Sequence, residues 1–464
     1  MFQNLKNKKI LMMGLGVVGG GLGVAEWLCR QGAEITITDL RDKKTLSPSL
    51  KKLSRYPIKY ILGQHRAIDF KNADLIIKNP AVPSESPYLK IARRNKVPIL
   101  NDIELFQERW PGKIIALTGT KGKSTTAHLI YHILKQAQRP VYLAGNIGQT
   151  PLSFLRPHNC PKDIMILELS SFQLENIFIQ PDFALITNIF PDHLNRHKTM
   201  SKYTAIKANI FKNQRSDQIA VLNYDNKISR QLASQTPSKL IFFSTQIATR
   251  PSSCHMLFTV KNNKIIIFDK KSVRVLCSLD KIKLLGQHNL ENILAAVAVA
   301  HLAGVKQSAI QKAINDFTGV ANRLELVRTI NKVKYYNDTT ATNPGATLVA
   351  LNALGKRKNI VLIAGGADKN LKFDELATKI KKTCRQIIML SGTATSKFIQ
   401  ALKKIKYPNK NITEFNNFNK AVIFAKKSAK PGDIILLSPG CASFGMFQNE
   451  FDRGRQFVKI VKKL

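Results

Sequence analysis

Short apolar runs and amphipathic stretches follow each other along the chain in a regular order. Residues 8–41 begin with the apolar run KKILMM, continue through a glycine-rich turn into a helical pattern, and end on the alternating run EITITD. A strand, a helix and a second strand in succession are typical of a parallel sheet. Further runs typical of strands follow at IKYILG, ADLIIKNPAVP and VPILND.

The same alternation of strands and helices recurs in two later segments. The second contains KIIALTG, the helical STTAHLIYHILKQA, the strands IMILELS, FALITNI and IAVLNY, a β-rich stretch with an Asn–Asn turn (HMLFTVKNNKIIIFDKKSVRVLCSL), and the helical NLENILAAVAVAHLAG. The third contains the strands KYYNDTT, NIVLIAGG, QIIMLSG and DIILLSPG. The pattern is interrupted at Pro111–Gly112 and around DFTGVANRLELV.

These interruptions predict three α/β domains in series. A chain of 464 residues is too long for one core, since single cores stop growing at about 250–300 residues. We predict a Rossmann-like N-terminal domain over 1–111, a central P-loop ATPase-like domain over 112–319, and a Rossmann-like C-terminal domain over 320–464.

Composition narrows the class of protein. The sequence contains no apolar run of about 18 residues, so no membrane insertion is expected. The six cysteines are scattered without a CxxC pair, which argues against a zinc site or a disulfide framework and for a reducing compartment. We therefore expect a cytoplasmic protein, and a monomer.

The net charge of +42 raises the question of a polyanionic partner. The basic residues are spread along the chain and include no RGG tract or RNP-like aromatic motif. Nucleic acid is therefore not the expected partner, although a basic nucleic-acid-binding NTPase remains a rival interpretation. A basic surface would also steer small anionic substrates.

A glycine-rich turn follows the first strand. It runs GLGVVG from Gly14 to Gly19, and Asp39 ends the next strand. Such glycines let the backbone approach a diphosphate, and the following helix N-terminus favours its charge. By itself this turn suggests a dinucleotide-binding dehydrogenase, or a tight turn without a ligand.

A second glycine-rich turn begins the central domain. The sequence GTKGKSTT lies between a strand and a helix. Its first seven residues are Gly119, Thr120, Lys121, Gly122, Lys123, Ser124 and Thr125. Two residues separate its glycines, whereas the Walker pattern has four. Backbone N–H groups, a lysine for the phosphates and a hydroxyl for Mg²⁺ nevertheless occur in the right order.

Two further strands of this segment end on polar residues. Glu168 ends IMILE, and Asp192 and His193 follow FALITNI. The carboxyl ends of parallel strands share one sheet edge, so we expect these side chains near the phosphate loop, where a carboxylate could hold Mg²⁺.

Four motifs in this order resemble the Mur ligase family of ATP-dependent amino-acid ligases of peptidoglycan synthesis. They are GTKGKSTT, LELSSFQLE, TNIFPDHLNRH with YTAIK, and GQHNLENILAA. SSFQLE, AGNIG and the ending LLSPGCASFGMFQNEFDRGRQF most resemble the members that add glutamate. The resemblance covers all three segments and implies that the short phosphate loop is a true ATP site.

The resemblance also implies roles for individual residues. ATP would be bound by the seven phosphate-loop residues, Asn289, Asn292, Arg323 and Asp338. Metal ligands, for Mg²⁺ and with two ions expected, would be Ser124, Glu168, His193 and Lys207, the last as a carbamate formed with CO₂. Catalysis would depend on Lys123, His193 and Lys207.

The same resemblance implies UDP-N-acetylmuramoyl-L-alanine and glutamate as substrates, joined through an acyl phosphate. Their contacts would be Gly14, Gly16, Val17, Val18, Asp39, Arg41, Asn79, Asn146, Thr342, Lys369 and Ser443. On this interpretation the first glycine turn binds a UDP-sugar and not NAD.

Three positions depart from the family pattern. Thr340 stands in DTTATN where these ligases usually carry a lysine, Lys121 stands where asparagine is common, and Glu450–Phe451 reverses a common aromatic–acid order. D-Glu is the family default, and addition of L-Glu remains an alternative. A folylpolyglutamate-type ligase shares the ATP machinery and remains a second alternative.

Overall fold

Parallel strands joined by helices build each part of the chain that the computed structural model describes. The described residues are 4–16, 20–247, 249–270, 272–284, 286–355, 357–368, 371–443 and 445–464. They form two compact units. One comprises Met1–Ile282 and Leu290–Asp316, and the other comprises Lys283–Asn289 and Phe317–Leu464.

The first unit begins with a five-stranded parallel sheet. Its strands are β1 (Lys9–Met13), β2 (Glu34–Asp39), β3 (Lys59–Leu62), β4 (Leu75–Lys78) and β5 (Ile99–Leu100). Its helices are α1 (Gly20–Arg30), α2 (Lys43–Leu53), α3 (Ala67–Asn72), α4 (Pro87–Arg94) and α5 (Asp102–Gln107). The strand order β3-β2-β1-β4-β5 reverses direction between β1 and β4, and open α/β sheets bind ligands at such a switch point.

A nine-stranded sheet forms the rest of the first unit. Its strands are β6 (Lys113–Thr118), β7 (Val141–Gly145), β8 (Ile164–Glu168), β9 (Phe183–Ile186), β10 (Ile219–Asn223), β11 (Lys239–Ser244), β12 (Met256–Lys261), β13 (Lys264–Phe268) and β14 (Val273–Ser278). The associated helices are α6 (Lys123–Gln136), α7 (Leu194–His197), α8 (Met200–Lys212), α9 (Lys227–Gln231), α10 (Gln287–Leu302) and α11 (Gln307–Asp316), with short 3₁₀ turns at Pro151–Phe154 and Leu232–Gln235.

This sheet is parallel except at one end. Its order is β14-β13-β12-β11-β10-β9-β6-β8-β7, and only the pairs β12–β13 and β13–β14 are antiparallel. Asn262 and Asn263 turn the chain between β12 and β13 with φ of 50° and 57°. Asparagine tolerates this left-handed conformation, which confirms the predicted Asn–Asn turn.

The second unit contains a six-stranded sheet. Its strands are β15 (Glu325–Ile330), β16 (Val333–Asn337), β17 (Ile360–Gly365), β18 (Cys384–Leu390), β19 (Ile412–Phe415) and β20 (Ile434–Leu437). Its helices are α12 (Pro344–Leu354), α13 (Asp374–Thr383), α14 (Thr395–Lys404), α15 (Phe418–Ser428) and α16 (Glu450–Lys463), with a 3₁₀ turn at Asn409–Asn411. The order is β15-β16-β20-β17-β18-β19, with β15 antiparallel to its neighbour.

The central strands of all three sheets are buried on both faces. β4, β8, β9 and β17 have no exposed position. Continuous burial of this kind follows from helices covering both faces of a parallel sheet. The predicted α/β class with three sheets is confirmed, whereas the domain limits at 111 and 319 remain predictions.

None of the described helices combines the length and the apolar character needed to cross a bilayer.

Candidate active site at the carboxyl ends of the parallel strands

The first glycine turn lies at the switch point of the N-terminal sheet. Gly14 and Gly16 follow β1 with φ of 90° and 75°, a conformation that favours glycine. Asn79 follows β4 across the crevice, and its Cβ lies 3.0 Å from where a β-carbon on Gly14 would be. The structure thus brings Gly14, Gly16 and Asn79 together.

Asp39, at the end of β2, holds this turn. Its Oδ2 accepts hydrogen bonds from the backbone N–H of Leu15 at 2.9 Å and of Gly16 at 3.4 Å. Arg41 donates from Nε to Oδ1 and from Nη2 to Oδ2, at 2.9 and 2.7 Å. Burial by itself would raise the pKa of Asp39, but the bonds from Arg41 and Leu15 bring this pKa below its ordinary value. Both carboxylate oxygens therefore already have protein partners.

The second glycine turn connects β6 to α6 as predicted. Gly122 is the N-cap of α6 with φ of 86°, and a β-carbon there would overlap Oδ1 of Asn292 on α10. A β-carbon on Gly119 would likewise overlap the Thr187 hydroxyl. Asn292 also accepts a hydrogen bond from Thr126 Oγ1 at 3.2 Å. The predicted residue Asn292 therefore packs directly against the phosphate loop.

Two residues after β9 support the loop from outside. The Thr187 hydroxyl donates to the Lys121 carbonyl at 2.6 Å, and the Lys121 N–H donates to Asn188 Oδ1 at 2.9 Å. The Thr120 N–H donates to the Asn188 carbonyl at 2.8 Å. Because these contacts join segments that are far apart in the sequence, no local sequence pattern predicts this role for Thr187 and Asn188.

Two lysines from different helices meet at the Gly119 carbonyl. Lys123 Nζ donates to this oxygen at 2.8 Å and to the Thr120 carbonyl at 3.0 Å. Lys207 Nζ, on α8, donates to the same oxygen at 2.9 Å and to Thr118 Oγ1 at 3.2 Å. The structure thereby places two of the predicted catalytic residues at the phosphate loop.

Lys207 differs from Lys123 in its environment. It is only 1% exposed, and its Nζ lies 4.9 Å from the centre of the Tyr203 ring. Burial lowers the pKa of Lys207 well below its ordinary value, and the charge of Lys123 lowers it further, against an opposite effect of Asp192. The Lys207 side chain is therefore suited to be a neutral amine.

Glu168 lies at the end of β8, next to β6 in the sheet. Leu117 pairs with Glu168 in the register of these two strands. The carboxylate is 1% exposed, and its Oε1 accepts a hydrogen bond from Asn146 Nδ2 at 3.1 Å. Its Oε2 is buried and has no hydrogen-bond partner among the described residues. A buried carboxylate oxygen without a donor is suited to contact a cation.

His193 follows β9 in the left-handed conformation, with φ of 52°. Its ring contacts Phe172 with centroids 5.1 Å apart, and its Nε2 lies 3.7 Å from Asp192 Oδ2. About half of the side chain is exposed. Ser124, in contrast, is buried at the start of α6.

The predicted metal ligands are not a cluster made only of acidic and histidine side chains. Within the described ranges, no group of three or more His, Cys, Asp or Glu side chains is close enough to hold a metal ion. The predicted set relies on a hydroxyl and a carbamate besides Glu168 and His193. Oxygen ligands of this kind suit Mg²⁺, and the unpartnered Glu168 oxygen fits such an ion.

The second unit carries another buried carboxylate. Asp338 follows β16, and its oxygens accept hydrogen bonds from Ser438 Oγ at 2.7 Å and the Leu324 N–H at 3.2 Å. Burial raises the pKa of Asp338 to about 7, although these bonds and the charge of Arg323 act in the opposite direction. Arg323 itself is exposed, and Asn289 is buried.

A buried arginine supports the loop after Asp338. Arg453, on α16, has no exposed surface, and donates from Nε to Thr339 Oγ1 at 3.0 Å and from Nη2 to the Thr339 carbonyl at 2.9 Å. Burial lowers the pKa of Arg453 to about 10. The sequence prediction did not include Arg453, because its contact spans 114 residues of chain.

The remaining predicted substrate contacts either belong to the second unit or lie outside the described residues. Thr340 donates its hydroxyl to the Asn322 carbonyl at 2.9 Å, and Thr342 lies two residues further along. Ser443 is 3% exposed. Val17, Val18 and Lys369 lie outside the described residues.

Comparison with known proteins matches every part of this architecture. Family profiles described as Mur ligase MurD-like N-terminal domain, Mur ligase middle domain, and Mur ligase glutamate ligase domain match residues 8–101, 117–300 and 322–441. A UDP-N-acetylmuramoylalanine–D-glutamate ligase of Roseiflexus sp. (strain RS-1) is 43% identical over 466 residues, covering 99% of both chains. The chain belongs to the Mur ligase family.

Other members of the Mur ligase family are also similar over nearly their whole length, at lower sequence identity. A protein of the same name from Thermoanaerobacter pseudethanolicus is 37% identical, again over 99% of both chains. Among solved structures, the Mur ligase chain resembles UDP-N-acetylmuramate-alanine ligase MurC of Thermotoga maritima, with a TM-score of 0.62, 19% identity, and coverage of 98% and 100%. It also resembles MurF of Thermotoga maritima in complex with ADP, with a TM-score of 0.58, 17% identity, and coverage of 100% and 99%. At these identities the structures support the fold alone.

Proposed function

We propose that this Mur ligase uses ATP to join D-glutamate to UDP-N-acetylmuramoyl-L-alanine, in the cytoplasmic synthesis of peptidoglycan precursors. The proposal is supported by full-length relatives named for this reaction. It is also supported by two loop sites in one compact unit, the glycine turn after β1 and the phosphate loop after β6.

The contact between Asn146 and Glu168 carries the geometric part of the proposal. Asn146, expected to contact the UDP-sugar, donates to Glu168, expected to contact Mg²⁺, at 3.1 Å. The Asn146 N–H also donates to the Glu168 carbonyl at 2.7 Å. These two hydrogen bonds hold the residue proposed for the sugar nucleotide next to the residue proposed for Mg²⁺, as a reaction between the ligands of the two sites requires.

The first chemical step is transfer of the γ-phosphoryl group of ATP to the terminal carboxylate of UDP-N-acetylmuramoyl-L-alanine. The bond between the γ-phosphorus and the β,γ-bridging oxygen breaks, ADP leaves, and a carboxylate oxygen bonds to phosphorus to give an acyl phosphate. Such a transfer depends on positioning and on neutralising charge. Lys123 would turn from the Gly119 and Thr120 carbonyls to the phosphates, and the N–H groups at the start of α6 would face them.

Mg²⁺ would be held by Ser124, Glu168 and His193, with carbamylated Lys207 orienting it. When bound, the ion neutralises phosphate charge. Glu168 is fixed for this role by Asn146, which leaves its second oxygen unpartnered.

We infer that Lys207 is modified by CO₂. The neutral amine would add to the carbon of CO₂, forming an N–C bond and releasing one proton to solvent, which leaves a carbamate anion. Burial of Nζ and its nearness to Lys123 favour loss of the ammonium charge. The resulting anion would face Lys123, which is a stabilising arrangement.

The second step is attack of the glutamate amine on the acyl phosphate. A C–N bond forms, the carbon–oxygen bond to phosphate breaks, and the amine gives up a proton. A carboxylate linked to the metal is the proposed proton acceptor, because the basic ring nitrogen of His193 is assigned to Mg²⁺. Thr342, Lys369 and Ser443 remain proposed contacts of the amino acid, and Asn289, Arg323 and Asp338 remain proposed contacts of ATP.

The glutamate pocket has one unusual position. Thr340 supplies no cation for a carboxylate, and its hydroxyl is already bonded to the Asn322 carbonyl. D-Glu is proposed because the relatives are named for it. Assay of ADP release with UDP-N-acetylmuramoyl-L-alanine and glutamate, compared with the same assay with DNA, tests the proposal. Stimulation by DNA alone would replace it with a nucleic-acid-dependent NTPase.

A further inference from the structure

A charged cavity lies beside α4, apart from both glycine turns. It encloses about 520 Å³. Its walls come from the end of β4, the loop that follows, α4, the end of β5, the start of α5, and residues 175–176. None of the substrate, ATP or metal residues proposed above lines it.

Three cations line this cavity. Lys78 is only 8% exposed, and its Nζ donates to the Val82 carbonyl at 3.1 Å. Arg93 donates from Nη1 to the Ser84 carbonyl at 3.2 Å, and Lys90 is exposed one turn earlier on α4. Within the part of the chain that the structure describes, no carboxylate lies at ion-pair distance from any of the three. An ammonium buried as deeply as Lys78 normally has a counter-ion.

The carboxylates of the cavity are already satisfied. Glu104 accepts hydrogen bonds from the N–H groups of Asn101 and Phe178, at 3.0 and 3.2 Å. Glu175 pairs with Arg196 at 2.9 Å.

The remaining lining carboxylate is also paired. Glu85 lies 3.5 Å from Arg196 and 3.4 Å from Lys202. Glu175 and Glu104 act on Lys78 only from beyond ion-pair distance, and Lys90 and Arg93 are exposed. The cavity therefore contains cations that form no ion pair with a described carboxylate.

A buried hydroxyl provides an independent observation. Ser84 lines the cavity and is 7% exposed, and its Oγ has no hydrogen-bond partner among the described residues. Leaving such a group unpaired is costly, whereas an oxyanion in the cavity would accept its hydrogen bond.

We propose that the cavity formed by Lys78, Ser84, Lys90 and Arg93 binds a compact phosphate-type dianion, either free phosphate or the phosphate of a small ester. Phosphate oxygens would accept hydrogen bonds from the two ammonium groups, the guanidinium and the Ser84 hydroxyl. Charge-assisted bonds of this kind are the strong ones in proteins. The proposal does not depend on the ligase activity, so either can fail alone.

Isothermal titration of inorganic phosphate into the full chain, with chloride balancing ionic strength, tests the site. Arg93→Gln should weaken binding by about tenfold or more, as loss of one charge-assisted contact implies. Arg94→Gln is the matched control, since Arg94 is the next residue of α4, is exposed and does not line the cavity. It should change affinity by no more than about twofold.

A further variant distinguishes phosphate binding at the cavity from phosphate binding at the phosphate loop. Binding at the cavity should persist in Lys123→Ala and should still fall when Arg93→Gln is added. Lys90→Gln provides a second test if Arg93→Gln lowers the melting temperature. Glycerol 3-phosphate in place of phosphate distinguishes an ester from the free ion by which of the two binds more tightly. Equal affinity for Arg93→Gln and Arg94→Gln, or loss of all binding in Lys123→Ala, would overturn the proposal.

Discussion

At the scale of single residues, the centre of the phosphate loop is a carbonyl shared by two lysines. Lys123 and Lys207 both donate to the Gly119 oxygen, although they come from α6 and α8. Two ammonium groups at one oxygen repel each other, and the buried one yields its charge more easily. We therefore propose opposite charges for the two lysines, a cation on Lys123 and a carbamate anion on Lys207.

Lys123→Ala should lower kcat on the order of 10²–10³-fold, because it removes a charge aimed at the transferring phosphoryl group. Lys135→Ala is the matched control, since Lys135 is exposed at the other end of the same helix. Steady-state ligation rates and melting temperatures of both variants check this. A folded Lys123→Ala enzyme with normal turnover would disprove the role of the loop.

Lys207→Ala should remove most activity, and Lys207→Glu should keep more of it than the alanine variant. The glutamate restores an anion on a shorter arm, whereas an ordinary cationic role would make it the worse of the two. Ligation rates of both folded variants, measured side by side, decide the sign of the charge. The carbamate assignment is wrong if the glutamate variant is the less active one.

Asp338 links stability to pH. Its pKa in the folded protein is raised to about 7 from an ordinary 3.8, so the native state holds a proton that the unfolded chain releases. The stabilisation is full below about pH 4 and is lost as pH rises through 7. Relative to Asp338→Asn, the wild type should lose up to about 1.4 kcal/mol of unfolding free energy per pH unit in this window.

Melting curves of the wild type and Asp338→Asn from pH 5 to pH 8 test this linkage. The melting temperature of Asp338→Asn should rise relative to that of the wild type as pH increases, and the difference should level off above about pH 7. Parallel curves would show that Asp338 is ionised in the native state throughout.

At the scale of elements, the turn between β6 and α6 depends on glycine in two ways. Gly122 needs a left-handed conformation, and it leaves the space that Asn292 Oδ1 fills. Gly63 has a similar φ of 80°, but a β-carbon added there would have no atom within 4 Å. Comparing alanine variants of Gly63 and Gly122 therefore distinguishes the cost of backbone strain from the cost of overlap with a neighbouring side chain.

Gly63→Ala should lower the free energy of unfolding by about 1 kcal/mol through strain alone. Gly122→Ala should cost at least about twice as much, because Asn292 must also move. It should weaken binding of a non-hydrolysable ATP analogue as well, whereas Gly63→Ala should not. Equal losses of stability in chemical denaturation would mean that contact with Asn292 is unimportant.

Much of the element order follows from the apolar pattern, because buried parallel strands leave continuous apolar runs. The prediction omits β15 and β19, which lie at sheet edges, are only partly buried and lack such runs. It omits the edge strand β7 as well, although VYLAG is mostly apolar. It also omits β11, although KLIFFS has the apolar run of a strand.

The position of the candidate site residues in the fold was predictable where a motif consists of consecutive residues. The phosphate loop and the end of β8 are examples. The supporting contacts of Thr187, Asn188, Ser438 and Arg453 were not predictable, since they join distant segments.

At the scale of the whole molecule, the net charge of +42 is the least specific observation. Both proposed nucleotide substrates are anions, and a positive field raises their rate of encounter. Lys78, Lys90 and Arg93, which line the cavity beside α4, are the proposed local use of that charge. Raising the ionic strength should therefore lower kcat/KM, which includes substrate encounter, more than it lowers kcat.

The most direct test of the proposed ligase activity is product analysis with the two glutamate enantiomers. The purified protein would be incubated with ATP, Mg²⁺, UDP-N-acetylmuramoyl-L-alanine and either D-Glu or L-Glu, and the products identified by mass and by chiral analysis. We predict one amide product with D-Glu, formed with one ADP and one phosphate, and little product with L-Glu. Formation of the L-Glu product instead would contradict the stereochemistry, and ADP release without any amide product would contradict the ligase itself.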